Sequence, residues 1–296
     1  MSALRDAIVG MPDGRRLAYT EWGLSDGTPI LCFHGSPGAR TWCPDEAATA
    51  ASGVRLIMPD RPGIGRSDPL EGRTLADWPK DVLSLADALE IPEFGIIGIS
   101  AGGQYAAACA ALISGRLRGV AIVACRLISE YNWAERPGIE EEWDVEERAE
   151  FDLVRVDRGA GADLAAQHNV EFVDEVSRHP EGIQEWLESE TEADNWFFDD
   201  PSRRANFEAC MREWGRQGVE ALKWDLIDVF LPWGFRLSEI SIPVTIWCGR
   251  EDPRLPHMDF QVEAIPHSSL TIWPGCGHLG FVKHWSEILE SVNAQV

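Results

Sequence analysis

The pentapeptide Gly98-Ile99-Ser100-Ala101-Gly102 constrains this chain more than any other segment. It follows the apolar run Phe94-Gly95-Ile96-Ile97 and leads into the small-residue stretch Gly103-Gln104-Tyr105-Ala106-Ala107-Ala108. A buried strand turning sharply into a helix accounts for both flanks. Glycines clear side-chain bulk from the strained bend, and the serine hydroxyl is lifted into reach. Five residues of this form recur by chance; the strand before and the helix after give them weight.

The rest of the first third repeats that alternation. Ala7 to Val9 and Arg16 to Thr20 flank Pro12-Asp13-Gly14, a hairpin turn. Pro29 to Phe33, Val54 to Met58, Phe94 to Ile99 and Val120 to Cys125 read as buried strands. A helix is expected near Asp45 to Ala51. Leu75 to Leu89 carries Leu75, Trp78, Val82, Leu85 and Leu89 at helical spacing. Strands alternating with helices imply a mostly parallel sheet covered on both faces. From Ile128 to about Phe235 the pattern becomes acidic, tryptophan-rich and helical. Pro243 to Cys248 and Leu270 to Trp273 then restore strands, and Phe281 to Val292 reads as a closing amphipathic helix. The expected division is a core over 1–127, a helical insertion over 128–238 and the rest of the core over 239–296.

Formal net charge is −23, which argues against binding a nucleic-acid backbone through counterion release. Between Ile128 and Ile240 there are 29 Asp and Glu against 11 Lys and Arg, so most of the excess lies in the insertion. Solvated helix faces account for it more simply than a cationic ligand does. Lysine occurs only at 80, 223 and 283. The seven cysteines show no Cys-x-x-Cys pair, several sit in apolar runs, and a metal site has little support. The first ten residues do not resemble a secretory signal, and no apolar stretch approaches the roughly 18–20 residues that span a bilayer. A cytoplasmic enzyme without membrane attachment is the expectation; a homodimer is left open.

A serine hydroxyl is a weak nucleophile at neutral pH and needs a base, which in turn needs an orienting acid. Asp252 follows the strand ending at Cys248, within Gly249-Arg250-Glu251-Asp252-Pro253. His278 follows the last strand, within Pro274-Gly275-Cys276-Gly277-His278-Leu279-Gly280. Both positions are carboxyl ends of strands, where functional groups gather in doubly wound sheets. His257 lies only five residues beyond the acid, His267 precedes the last strand, and His284 falls in the closing helix. Glu251 and Glu130 are the rival acids. An oxyanion formed at the acyl carbon needs two preorganised donors. The N–H of Ala101 is one, and the loop His34-Gly35-Ser36-Pro37-Gly38 supplies the other, at Ser36 or else Gly35. His34 itself reads as a structural hydrogen-bonder.

With these segments, and with Asp60-Arg61-Pro62-Gly63-Ile64-Gly65-Arg66-Ser67-Asp68-Pro69, the chain resembles the α/β-hydrolase-fold serine hydrolases of the capped, esterase-like group. The matches cover roughly residues 6–126 and 240–292. The resemblance implies about eight strands, helices on both faces and a helical cap. Asp60 to Pro69 is family-like but structural, so its charges are not read as catalytic. The family also holds haloalkane dehalogenases and epoxide hydrolases, which use an aspartate nucleophile; Ser100 argues against both. It differs from proline iminopeptidases in having Ser36 and Ala101 where they usually carry glycine and tryptophan.

The expected reaction is acyl transfer from a small to medium hydrophobic ester or lactone, with no metal or organic cofactor. A proline-iminopeptidase-like or amide hydrolase, a carbon–carbon bond hydrolase or lyase, and a slow or inactive binding protein are the alternatives. Seven of the 13 tryptophans (Trp133, Trp143, Trp186, Trp196, Trp214, Trp224, Trp233) fall in the insertion. Most should pack its helices onto the core. Trp133, Trp196, Phe197 and Phe230 are the candidates for an apolar pocket above Ser100.

Overall fold

Strands buried on both faces need apolar residues at successive positions, and that is how the central segments are written. The computed structural model describes residues 3–127, 144–182, 191–230 and 233–293. Its strands are β1 (Arg5–Gly10), β2 (Arg16–Gly23), β3 (Thr28–Phe33), β4 (Val54–Pro59), β5 (Phe94–Ile99), β6 (Leu117–Val123), β7 (Val244–Gly249) and β8 (Ser268–Trp273). They form one eight-stranded sheet in the order β1-β2-β4-β3-β5-β6-β7-β8. The β1–β2 and β2–β4 pairs are antiparallel, and every later pair is parallel. Side chains alternate faces along each strand. Ile30, Cys32, Ile97 and Ile99 enter one apolar cluster; Leu31, Phe33, Phe94 and Ile96 enter the other.

Helices α1 (Glu46–Ala51) and α9 (Trp285–Asn293) cover the first face. α9 buries Trp285, Ile288, Leu289 and Val292, and full burial of such a side chain contributes about 1.5–3 kcal/mol over exposure. The Trp285 indole N–H donates to Thr49 Oγ1 at 2.8 Å, tying α9 to α1. Helices α2 (Trp78–Ala88), α3 (Gly102–Leu112) and α8 (Met258–Ala264) cover the second face.

The closing helix starts at Trp285, later than the expected Phe281, because His278–Val282 form a separate 3-10 turn. His284 therefore lies outside that helix; it stacks on Trp273 with centroids 4.6 Å apart and holds Glu287 through Nδ1 at 2.7 Å. β6 ends at Val123, short of the expected Cys125, since Ala124 takes φ 51°, which breaks strand geometry.

Between β6 and β7 the described chain is helical: α4 (Val145–Val154), α5 (Arg158–Arg178), a 3-10 segment (Glu192–Phe197), α6 (Pro201–Trp214) and α7 (Val219–Leu226). Three of these helices start on aspartates. Asp144, Asp157 and Asp200 each accept a backbone N–H from the first turn of α4, α5 and α6. No described helix is long and apolar enough to cross a membrane. Glu130, Trp133, Trp143 and Trp186 lie outside the described residues.

Candidate active site

Ser100 sits at the tip of β5 with φ 51°, the left-handed region that most residues avoid. Its N–H donates to Val123 O and its carbonyl accepts from Gly103 N–H, both at 2.8 Å, so both neighbouring elements hold the bend. The flanking glycines are required by contact. A Cβ on Gly98 would stand 2.4 Å from the Gly102 carbonyl oxygen, and one on Gly102 would stand 2.2 Å from the Phe33 carbonyl oxygen. The helix can start that close to β3 only without side chains there.

The loop after β3 closes over the serine: a Cβ on Gly35 would be 3.1 Å from Ser100 Cβ. Ala101 is the first residue of the α3 turn, where helix geometry leaves N–H groups without intrahelical acceptors. Among the described residues no acceptor engages the N–H of Ala101 or of Ser36. His34 is buried and its Nδ1 meets Gly35 O at 2.8 Å, so that nitrogen carries the proton. Burial, with Arg61 close by, pushes the imidazole down to about 3. A ring that stays neutral matches the structural part expected of it.

Asp252 leaves the end of β7 and is enclosed, with no side-chain exposure. Its Oδ2 lies 2.9 Å from His278 Nδ1, while Oδ1 accepts from Arg254 N–H at 2.9 Å and from Arg254 Nη1 at 3.3 Å. Burial alone would raise this carboxyl, but the His278 ring and the Arg254 guanidinium outweigh it and hold it below the usual carboxylate value. Since the carboxylate accepts, Nδ1 donates, which leaves Nε2 of a neutral ring as the acceptor. Of the rival histidines, His257 is buried in a 3-10 turn ahead of α8, and His267 precedes β8.

Ser100 and His278 line one cavity of about 70 Å³. His34, Gly35, Ser36 and Arg254 complete its polar wall; Trp42, Met58, Phe207, Met211, Leu279 and Phe281 are prominent in the apolar one. No direct hydrogen bond joins the Ser100 hydroxyl to His278.

Three residues expected at the pocket stand elsewhere. Trp196 lies against two cations, Lys283 Nζ at 4.0 Å from its ring centroid and the Arg203 guanidinium at 4.9 Å. Phe197 is fully buried one layer back, edge-on to Trp42 and Phe207. Phe230 packs against Phe151 in a separate cluster inside the insertion. The walls come instead from Trp42, just past the β3 loop, and from the α6 face carrying Phe207, Cys210 and Met211. Their one sequence signal was the four-residue spacing of Phe207 and Met211 on a helix.

Asp194 was also missed. This buried carboxylate of the insertion accepts Leu279 N–H at 3.0 Å, against the loop that carries His278. Burial raises its pKa even though Leu279 and His278 favour the charge. Among the described residues no group of three or more His, Cys, Asp and Glu could hold a metal ion.

Comparison with known proteins agrees with the fold. The non-heme chloroperoxidase of Streptomyces lividans is 37% identical over 97 residues, 32% of this chain and 35% of that protein. The 3-oxoadipate enol-lactonase 1 of Acinetobacter baylyi is 29% identical over 140 residues, 46% of this chain and 52% of that one. The matches thus span about a third to a half of these relatives' lengths. A thermophilic esterase from Thermogutta terrifontis superposes with a TM-score of 0.67 at 20% identity, over 98% of this chain and 97% of that one, a likeness of fold. The profile of the Alpha/beta hydrolase family runs over residues 30–290, from β3 through the Ser100 bend and the His278 loop into α9, and the chain belongs to that family.

Proposed function

We propose that the protein is a serine hydrolase that cleaves a small hydrophobic carboxylic ester or lactone through an acyl-enzyme. The observation that carries this reading is the convergence of Ser100, of His278 with the buried Asp252 behind it, and of the Gly35–Ser36 loop on one cavity. Ser100 Oγ attacks the acyl carbon and His278 Nε2 takes its proton. Asp252 keeps the ring in the tautomer that leaves Nε2 free and stabilises the imidazolium. The N–H groups of Ala101 and Ser36 receive the oxyanion, each such donor typically contributing ~2.7–4 kcal/mol. Collapse of the tetrahedral adduct expels the alkoxide, which takes the proton from His278. A water deprotonated by His278 then attacks the ester of Ser100 and restores the enzyme. The insertion caps the site, with Phe207, Cys210 and Met211 as its contribution to the wall.

The cavity volume of about 70 Å³ favours short acyl groups, being well below the roughly 300–1,000 Å³ of sites for drug-sized ligands. Burst and steady-state hydrolysis of p-nitrophenyl esters from acetate to octanoate, with Ser100→Ala alongside, tests the reading. Release that is fastest with the short esters and vanishes in Ser100→Ala supports it. Equal release by that variant, or none from folded wild type, sinks it.

A further inference from the structure

A buried ionic network lies on the far side of the Gly35–Ser36 loop from the cavity. Arg61 has no solvent exposure and is not part of the cavity wall. Its Nη1 donates to His34 O at 2.6 Å and its Nη2 to Gly35 O at 3.2 Å. The other side of the guanidinium is held by a carboxylate of the insertion. Arg61 Nε donates to Asp225 Oδ1 at 2.8 Å and Nη2 to Asp225 Oδ2 at 2.9 Å. The guanidinium also lies 4.7 Å over the Tyr105 ring on α3, the helix that follows Ser100.

A trans peptide is planar, and its C=O and N–H point in opposite directions. The one cis bond among the described residues is Ser36–Pro37, so the His34–Gly35 and Gly35–Ser36 peptides are trans. An arginine that grips the carbonyls of His34 and Gly35 therefore turns the N–H groups of Gly35 and Ser36 away from itself. Both residues line the cavity and Arg61 does not.

We propose that Arg61, locked by Asp225, is the positioning residue of the oxyanion site: it sets the planes of the peptides whose N–H groups receive the developing charge. Asp225 belongs to α7, so the insertion contributes to catalysis without touching substrate. This rests on the acyl-enzyme reading above. A bidentate partner is needed for the task, because a point charge would hold Arg61 without fixing its plane.

The test compares Asp225→Asn, Arg61→Lys and Glu213→Gln with wild type on p-nitrophenyl acetate, each normalised to burst-titrated sites. Asparagine keeps the shape of Asp225 but sets an amide N–H₂ against Arg61 Nη2. Glu213→Gln weakens a different link between insertion and core, the Arg40–Glu213 pair, which does not touch the two carbonyls. We expect kcat to fall about 10- to 100-fold in Asp225→Asn and Arg61→Lys with KM within twofold, part of the ~10²–10³ that losing an oxyanion donor costs. Affinity for a tetrahedral boronic acid analogue should fall in the same proportion, and Glu213→Gln should keep wild-type kcat.

Unchanged kcat and analogue affinity in folded Asp225→Asn overturn the proposal, as does an equal loss in Glu213→Gln. Turnover that is absent from wild type, or survives Ser100→Ala, strikes the acyl-enzyme reading instead. If Asp225→Asn does not fold, Arg61→Lys decides by the same measurements.

Discussion

Replacing Asp252 with asparagine changes one functional group and inverts one hydrogen bond. Two donors of Arg254 converge on Oδ1 and one donor of His278 meets Oδ2. An asparagine there keeps its oxygen toward the two arginine donors and turns its N–H₂ toward His278. Nδ1 must then accept, the ring proton moves to Nε2, and Nε2 can no longer take the proton of Ser100. The negative charge that would stabilise the imidazolium is lost as well. The expected outcome is a fall in kcat of ~10⁴, equivalent to about 5.5 kcal/mol of barrier. KM should move little, because Asp252 does not line the cavity. Steady-state hydrolysis of p-nitrophenyl acetate reads the effect, with thermal melts to establish folding. Acid titration of stability supplies an independent check. The carboxyl of Asp252 is depressed in the folded protein, so its contribution is present above pH ~4 and lost as pH falls through the folded value. Asp252→Asn should flatten that acid limb. A fall of less than tenfold in a folded variant refutes the assignment and returns the role to another acid.

Two further outcomes follow from packing and burial. Phe207 lines the cavity and meets Trp42, Phe197 and Phe198 edge-on; Phe207→Ala should cost about 3–5 kcal/mol in chemical denaturation and move the ester chain-length optimum upward. An unmoved optimum would place the acyl group elsewhere. Asp228 accepts from Gln104 Nε2 at 2.6 Å and from the Tyr105 hydroxyl, and burial beside Asp225 pushes its carboxyl up to about 7. A raised folded pKa gives stability that is present below pH ~4 and lost as pH rises to about 7. Asp228→Asn should therefore gain on wild type as pH rises from 5 to 8, and a difference constant with pH would refute this.

The candidates Ser100, Asp252 and His278 could be singled out because each carries a local signal, a short loop at a strand end with glycines where the backbone must crowd. The strands were legible for a similar reason, since burial on both faces demands continuous apolar runs. The pocket was not. Its apolar wall draws on five separated stretches, around Trp42, Met58, Ile99, Phe207–Met211 and Leu279–Phe281, and composition does not say which face of an aromatic helix meets them. Trp196 and Phe197 are adjacent, yet one lies against two cations and the other is fully buried. Arg61 sits in a loop whose family-like form was clear, but its partner Asp225 is 164 residues away. Only the tertiary structure turns that arginine toward the peptides beside Ser100.

The acidity of the insertion then acquires more than one cause. Many of its carboxylates are solvated, as expected, and Asp144, Asp157 and Asp200 begin helices. Four others reach the core: Asp194 at the His278 loop, Asp225 and Asp228 at Arg61, Arg73, Tyr105 and Gln104, and Glu213 at Arg40. All three basic partners are arginines, each almost completely buried, where a planar fork can satisfy several acceptors at once. Desolvating such pairs offsets much of their attraction, so they are weak evidence for stability. Their geometry does something apolar packing does less well. Hydrophobic contact tolerates sliding, whereas a guanidinium held on both sides fixes an angle and a register. Arg61, held by Asp225 on one side and by two loop carbonyls on the other, thus fixes the insertion in register with the loop that lines the cavity beside Ser100, where a displacement of about 1 Å would cost much in rate.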